Sequence, residues 1–215
     1  MRMATRIIIA DDHGIIREGL TALLQRMPQF EVVAVAANGR DAVALARCHA
    51  PHVVVLDVSM PDMNGIEATR VLAREMPGVR VLALSMHEDP MYVSHMMEAG
   101  ARGYLLKECI CEEITQAITI IMQGQLYFSA KLTGKVLDAL SGQGATSKTN
   151  VVLTSRERQT LQLLSEGNSS KVIAVKMGVS EKTVGTYRKN LMDKLGVRSV
   201  AELTKIAVRE RLTSV

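Results

Sequence analysis

Residues 53–65 read Val-Val-Val-Leu-Asp-Val-Ser-Met-Pro-Asp-Met-Asn-Gly, an apolar run that reaches a carboxylate at Asp57 and then breaks into turn-forming residues. Continuous Val and Leu side chains are typical of a strand that is buried on both faces, as in a parallel sheet. In open sheets of this kind, ligands bind outside the carboxyl ends of the strands. Asp57 is therefore a candidate functional acid, the alternative being an aspartate that only opens a turn.

Strand and helix patterns alternate on both sides of this stretch. Apolar runs at 6–10, 31–36, 79–84 and 102–106 predict four further strands. Parallel strands need crossover connections, so the alternation predicts an α/β fold with a doubly wound, five-stranded parallel sheet. The helical segments between and after the strands are 14–27, 42–46, 65–76, 91–99 and 110–122.

Composition and charge limit the class of protein. The three cysteines are an odd number without a Cys-x-x-Cys pair, which argues against a disulfide framework and against a zinc site. Residues 1–128 carry 11 Lys and Arg against 15 Asp and Glu, whereas residues 148–215 carry 13 against 6. This asymmetry indicates a control module joined to a module that binds a polyanion, the alternative being a solvated basic face. No apolar run approaches the ~18 residues of a membrane span, so we expect a cytoplasmic protein without membrane insertion.

Polar side chains follow four of the five predicted strands. Asp11 and Asp12 come after the first, Asp57 ends the third, Ser85 follows the fourth and Lys107 the fifth. Three crowded carboxylates repel one another unless a cation lies among them, and Mg²⁺ prefers such oxygen ligands. We expect Asp57 to act as a nucleophile on phosphorus, with Lys107 and Ser85 contacting phosphoryl oxygens.

Residues 6–123 resemble the receiver domain of two-component response regulators. The matching residues are Asp11-Asp12, Asp57 with Met60-Pro61 and Gly65, Ser85, Ala99-Gly100-Ala101, Gly103-Tyr104 and Lys107. The resemblance implies that a histidine kinase is the phosphoryl donor and that Mg²⁺ is required, bound by Asp11, Asp12, Asp57 and the backbone carbonyl of Ser59. It also implies that Ser85 and Tyr104 form a switch pair that reports the phosphorylation state.

The second half of the chain has a different pattern. We divide the protein into a phosphoacceptor domain (1–127), a linker with a short helix (128–148) and a DNA-binding domain (149–215). The linker prediction rests on helical periodicity over Lys131–Leu140 and on the Gly, Ser and Thr content of Ser141–Asn150. Four helices are predicted beyond it, and the second and third, joined by a turn at Gly178, form a helix-turn-helix. The inward face of the third helix is predicted to consist of Val184, Tyr187, Leu191 and Leu195.

Residues 151–208 resemble the LuxR-type helix-turn-helix domain of the NarL/FixJ subfamily. The matching residues are Leu153-Thr154, Arg156-Glu157-Arg158, Leu163-Leu164, Gly167, Ile173-Ala174, Val179-Ser180, Thr183-Val184 and Lys194-Leu195-Gly196-Val197. Gly185 and Tyr187 depart from the Lys and His that the family commonly has there. The predicted DNA-binding residues are Lys182, Thr183, Thr186, Arg188 and Lys189, and the predicted dimer contacts are Val200, Leu203 and Ala207.

The combined prediction is a DNA-binding transcription factor that a histidine kinase switches by phosphorylating Asp57. It would dimerise when phosphorylated, bind double-stranded DNA, and act on no substrate outside itself. Three alternatives carry contrary signals. A phosphohydrolase of the haloacid-dehalogenase type would need an Asp at the position of Ser59. A flavodoxin-like cofactor binder would not have Asp11-Asp12 in the loop that binds phosphate, because these carboxylates would repel it. A ligand-sensing LuxR-type regulator would lack the acidic cluster.

Overall fold

The computed structural model describes residues 4–132, 153–209 and 212–213 of the chain. These residues form two compact units, the first made mainly of residues before the linker and the second mainly of residues after it. Residues 133–140 of the predicted linker helix, and the whole of the predicted flexible stretch Ser141–Asn150, lie outside the described residues. Within the described parts of the chain, no helix has the length and apolar character needed to cross a membrane.

The first unit is built on a single parallel sheet. Its strands are β1 (Thr5–Ala10), β2 (Phe30–Ala36), β3 (Val53–Asp57), β4 (Arg80–Ser85), β5 (Gly103–Leu106) and β6 (Tyr127–Phe128), in the spatial order β2-β1-β3-β4-β5-β6. Every pairing in the sheet is parallel. The predicted doubly wound fold is confirmed, with a short sixth strand that the apolar pattern did not reveal.

Five helices connect and flank these strands. They are α1 (Gly14–Gln25), α2 (Gly39–His49), α3 (Gly65–Glu75), α4 (Pro90–Ala99) and α5 (Ile110–Met122), and a 3₁₀ turn at Lys107–Cys109 leads into α5. At the starts of α2, α3 and α4, a side chain accepts a backbone hydrogen bond that the first turn leaves unpaired, as Asn64 Oδ1 does from the Glu67 N–H at 2.9 Å. Helices cover both faces, which is why all four residues from Val53 to Leu56 are fully buried.

Among its described residues, the second unit contains four helices, α6 (Ser155–Ser165), α7 (Ser170–Met177), α8 (Glu181–Leu195) and α9 (Val200–Arg209). Thr154 and Glu157 form a reciprocal capping box at the start of α6. Gly178 lies in the left-handed region, with φ of 65°, and ends α7, while Ser180 caps α8. The predicted helix-turn-helix is therefore α7, this turn and α8. The core of the unit is aliphatic and includes Leu161, Ile173, Val184, Leu191 and Leu203.

Candidate functional site

The register of the sheet brings the predicted polar residues to one edge. Ala10 pairs with Leu56, so Asp11 follows β1 beside Asp57. Asp57 in turn pairs with Leu84, the residue before Ser85. Ser85 pairs with Leu106, the residue before Lys107. Because all the strands run in the same direction, each carries its last residue to the same side of the sheet.

Lys107 joins the two buried carboxylates. Its Nζ lies 2.7 Å from Asp57 Oδ2 and 2.7 Å from Asp11 Oδ2. Asp11 is fully buried and Asp57 is 2% exposed. Burial and the charge of Asp11 raise the pKa of Asp57 to about 6, and Lys107 opposes this without cancelling it. Burial lowers the pKa of Lys107, but hydrogen bonds to Asp11 and Asp57 outweigh it and leave that pKa raised. The site thus holds more negative than positive charge.

An acidic cluster capable of holding a metal ion surrounds this pair. One ligand atom from each of Asp11, Asp12, His13 and Asp57 lies within 4.8 Å of all the others. Within the described parts of the chain, the contact with Lys107 Nζ at 2.7 Å is the only polar contact found for Asp11 Oδ2. A buried carboxylate oxygen with spare coordinating capacity in an oxygen-rich set fits a hard divalent cation.

His13 extends the cluster beyond the residues that the sequence analysis selected. Its Nδ1 lies 2.8 Å from Asp12 Oδ1 and 3.1 Å from Asp11 Oδ1, and its side chain is 65% exposed. The only signal for it in the sequence is its position directly after Asp11-Asp12.

The loop after β3 folds back onto Asp57. The Ser59 N–H donates to Asp57 Oδ1 at 3.2 Å, and the Gly65 N–H donates to the Val58 carbonyl at 2.9 Å. A Cβ atom on Gly65 would lie 2.1 Å from the Asp57 carbonyl oxygen, which no side chain could tolerate. Glycine is therefore required at the start of α3 for the loop to hold the carboxylate in place.

The predicted switch pair meets at one residue of the loop after β4. The His87 N–H donates to Ser85 Oγ at 3.0 Å, while the Tyr104 hydroxyl donates to the His87 carbonyl at 2.9 Å. Ser85 is 1% exposed and Tyr104 is fully buried. Burial raises the pKa of Tyr104, against a smaller opposing effect of its hydrogen bond with Ser85. The imidazole of His87 stacks on Tyr92 with ring centroids 4.4 Å apart. His87, which the sequence analysis did not select, thus contacts both members of the pair.

The predicted DNA-contacting residues lie along α8. Lys182, Thr186, Arg188 and Lys189 are exposed. Thr183 is half-buried, and its N–H and hydroxyl both contact Ser180 Oγ, at 3.1 and 2.8 Å, so it serves the cap of the helix. The inward stripe predicted for this helix has Val184 and Leu191 buried, with Tyr187 and Leu195 packed against the core.

The predicted dimer contacts need a correction. Leu203 and Ala207 are fully buried in the core of their own unit, so they are not available to a second copy of the chain. Val200, at 37% exposure, is the one of the three that faces solvent. The apolar periodicity of α9 identified the face that packs inward, which periodicity cannot distinguish from an intermolecular face.

Comparisons with known proteins agree with this arrangement. Residues 7–119 match the response regulator receiver domain family, and residues 151–207 match the LuxR family of bacterial regulatory proteins. The transcriptional regulatory protein DegU of Brevibacillus brevis is 36% identical over 207 residues, covering 89% of this chain and 88% of its own. The oxygen regulatory protein NreC of Staphylococcus epidermidis is 35% identical over 214 residues, covering 96% and 98%.

A solved structure shows the same likeness. A two-component response regulator of the LuxR family from Aurantimonas sp. SI85-9A1 is 36% identical, with a TM-score of 0.61, over 64% of this chain and 99% of its own. Both halves of the chain thus have relatives of matching architecture. The chain belongs to the two-component response regulators that join a receiver domain to a LuxR-type helix-turn-helix, and it is a DNA-binding transcription regulator.

Proposed function

We propose that Asp57 is the residue that a partner histidine kinase phosphorylates, and that this event controls DNA binding by the helical unit. The observation that carries the proposal is the buried Asp57 carboxylate at the sheet edge, held 2.7 Å from the Lys107 ammonium within an acidic cluster. The protein would act in the cytoplasm and use no substrate other than the phosphoryl donor.

A divalent cation fits the acidic cluster, and we assign it as Mg²⁺ held by Asp11, Asp12, Asp57 and the Ser59 carbonyl. When bound, Mg²⁺ neutralises carboxylate charge and that of the phosphoryl group. An Asp57 carboxylate oxygen attacks phosphorus and forms the new P–O bond, while the bond from phosphorus to the imidazole nitrogen of the kinase breaks. The ammonium of Lys107, which lies 2.7 Å from Asp57 Oδ2, would provide a further positive charge beside the new acyl phosphate.

The loop after β4 would report the change. The Ser85 hydroxyl accepts the His87 N–H, and its own O–H would donate to a phosphoryl oxygen. The Tyr104 hydroxyl, bonded to the His87 carbonyl, would move with this loop. A local change in charge would thereby select between two arrangements of a buried side chain.

In the helical unit, α8 would enter the major groove of DNA. The exposed Lys182, Arg188 and Lys189 would contact phosphates, and Thr186 would lie nearest the base edges. The capping role of Thr183 leaves it a minor contact. The phosphorylated chain would form a homodimer through the solvent-facing side of α9 around Val200, and thus bind two half-sites.

Intact mass after incubation with Mg²⁺ and acetyl phosphate tests the phosphoacceptor. We expect an adduct of ~80 Da that is lost in Asp57→Asn and retained in the surface control Asp41→Asn. An adduct that survives Asp57→Asn would refute the assignment. For the helical unit, affinity for DNA should rise on phosphorylation and fall steeply with salt. Binding that ignores salt would point to a partner other than nucleic acid.

A further inference from the structure

The chain segment that follows the receiver helices is fixed to β5 by a buried serine. β6 pairs with β5 through Tyr127 with Gly103 and Phe128 with Tyr104, and ends there. Beyond it, the Ser129 N–H donates to the Tyr104 carbonyl at 3.0 Å. The Leu106 N–H donates to Ser129 Oγ at 3.0 Å, where no β6 residue lies opposite to receive it. A side-chain oxygen thus continues the strand pairing by one more bond.

The same hydroxyl is anchored on the other side. Ser129 Oγ donates to Glu113 Oε2, on α5, at 2.7 Å, and Ser129 is fully buried. The Tyr127 hydroxyl donates to the same carboxylate oxygen at 2.8 Å. The Ser129 hydroxyl therefore accepts from β5 and donates to α5, and a hydrogen bond to a charged group is stronger than one between neutral groups.

The hydrogen bonds of Ser129 hold Leu106, the residue directly before Lys107. Leu106 is the last residue of β5, and Lys107, which follows it, places its Nζ 2.7 Å from both Asp11 Oδ2 and Asp57 Oδ2. The chain turns into the 3₁₀ segment directly after Leu106. The direction in which the Lys107 side chain leaves the backbone therefore depends on what holds Leu106.

We propose that Ser129 is a positioning residue for Lys107, through a bridge from the Leu106 N–H to the Glu113 carboxylate. It acts on phosphorylation without touching the phosphoryl group. The inference rests on the proposed function, because Lys107 matters to rate only if Asp57 is the phosphoacceptor. Sequence patterns give no sign of it, since Ser129 lies 23 residues from Leu106 and 16 from Glu113.

The test compares Ser129→Ala with Tyr127→Phe in the full-length chain. Both variants remove one donor to Glu113, but only Ser129→Ala leaves the Leu106 N–H unpaired. With acetyl phosphate and Mg²⁺, we expect Ser129→Ala to slow phosphorylation by roughly 10- to 100-fold, the range known for misplaced catalytic groups, and Tyr127→Phe to leave the rate nearly unchanged. Glu113→Gln keeps an acceptor oxygen of the same shape and should give a smaller slowing, which serves if Ser129→Ala folds poorly.

A double-mutant cycle with Lys107→Ala separates positioning from general loosening. If Ser129 acts through Lys107, Ser129→Ala should cause little further slowing in the Lys107→Ala background. Equal slowing in both backgrounds, or equal slowing by Tyr127→Phe and Ser129→Ala, would overturn the inference. If the wild-type chain is not phosphorylated at Asp57, the proposed function is refuted. If the wild type and Ser129→Ala are phosphorylated at the same rate, only the role of Ser129 is refuted.

Discussion

Removing the charge of Asp57 should make the metal-free protein more stable. The folded environment raises the pKa of Asp57 from 3.8 to about 6, so the folded state disfavours the ionised form. Two pKa units correspond to about 3 kcal/mol at neutral pH, since each unit is 1.36 kcal/mol. Asp57→Asn resembles the neutral acid and should therefore gain about 3 kcal/mol of unfolding free energy at pH 7.5 in EDTA.

The sign of the effect with pH follows from the direction of the shift. Below pH 3.8 the carboxyl is protonated in both folded and unfolded chains, so it imposes no penalty on the wild type. The penalty grows as pH rises from about 4 to about 6 and stays constant above. The advantage of Asp57→Asn should accordingly shrink as pH falls towards 4.

Denaturant unfolding of the full-length chains, followed by circular dichroism from pH 4 to 8, measures this difference. Glu18→Gln, which neutralises an exposed carboxylate on α1, is the control and should change little. Mg²⁺ should stabilise the wild type more than Asp57→Asn, because it binds the folded site. If Asp57→Asn gains no stability at pH 7.5, or gains the same amount at every pH, the inference that ionised Asp57 destabilises the folded site is refuted.

Three further substitutions test other parts of the structure. Gly65→Ala should lower the free energy of unfolding by about 3 kcal/mol or more and slow phosphorylation, because the new Cβ meets the Asp57 carbonyl at 2.1 Å; Gly19→Ala, with no atom within 4 Å, is the control in the same denaturant titration. Gly185→Ala should raise the free energy of unfolding of the helical unit by about 1 kcal/mol, because the alanine Cβ would lie in open space and alanine favours a helix more than glycine does. A lower melting temperature of the variant would contradict this. Lys189→Ala should weaken DNA binding and reduce the slope of log affinity against log salt by about 1 in a fluorescence titration; an unchanged slope would exclude a phosphate contact.

The position of the acidic residues at one sheet edge was predictable because it follows from how parallel strands are connected, which does not depend on individual side-chain contacts. Parallel strands with crossover helices place Asp11, Asp57 and Lys107 together whatever the loops between them do. β6 was not predictable in the same way, since two residues carry no alternation and no length to distinguish a strand. The contacts of Ser129 depend on that strand and were hidden with it.

The helical unit shows where periodicity stops being informative. An apolar stripe identifies the buried face of α9, yet nothing in the spacing says whether the same chain or a second copy covers it. Leu203 and Ala207 were assigned to a dimer interface because the family resemblance implies a dimer through this helix, and the structure places them in the core. On α8 the same reasoning succeeded because Val184 and Leu191 were assigned to the core from the start.

The position of β6 also bears on how copies of this protein avoid one another. An uncovered strand at a sheet edge offers unpaired backbone groups to any other extended chain, and β5 would be such an edge if Tyr127 and Phe128 moved away. By pairing with β5, Tyr127 and Phe128 therefore reduce its tendency to pair with the edge of another molecule. Any state of the protein that releases this segment would expose unpaired backbone groups on β5, so the hydrogen bonds that hold the segment should also contribute to solubility.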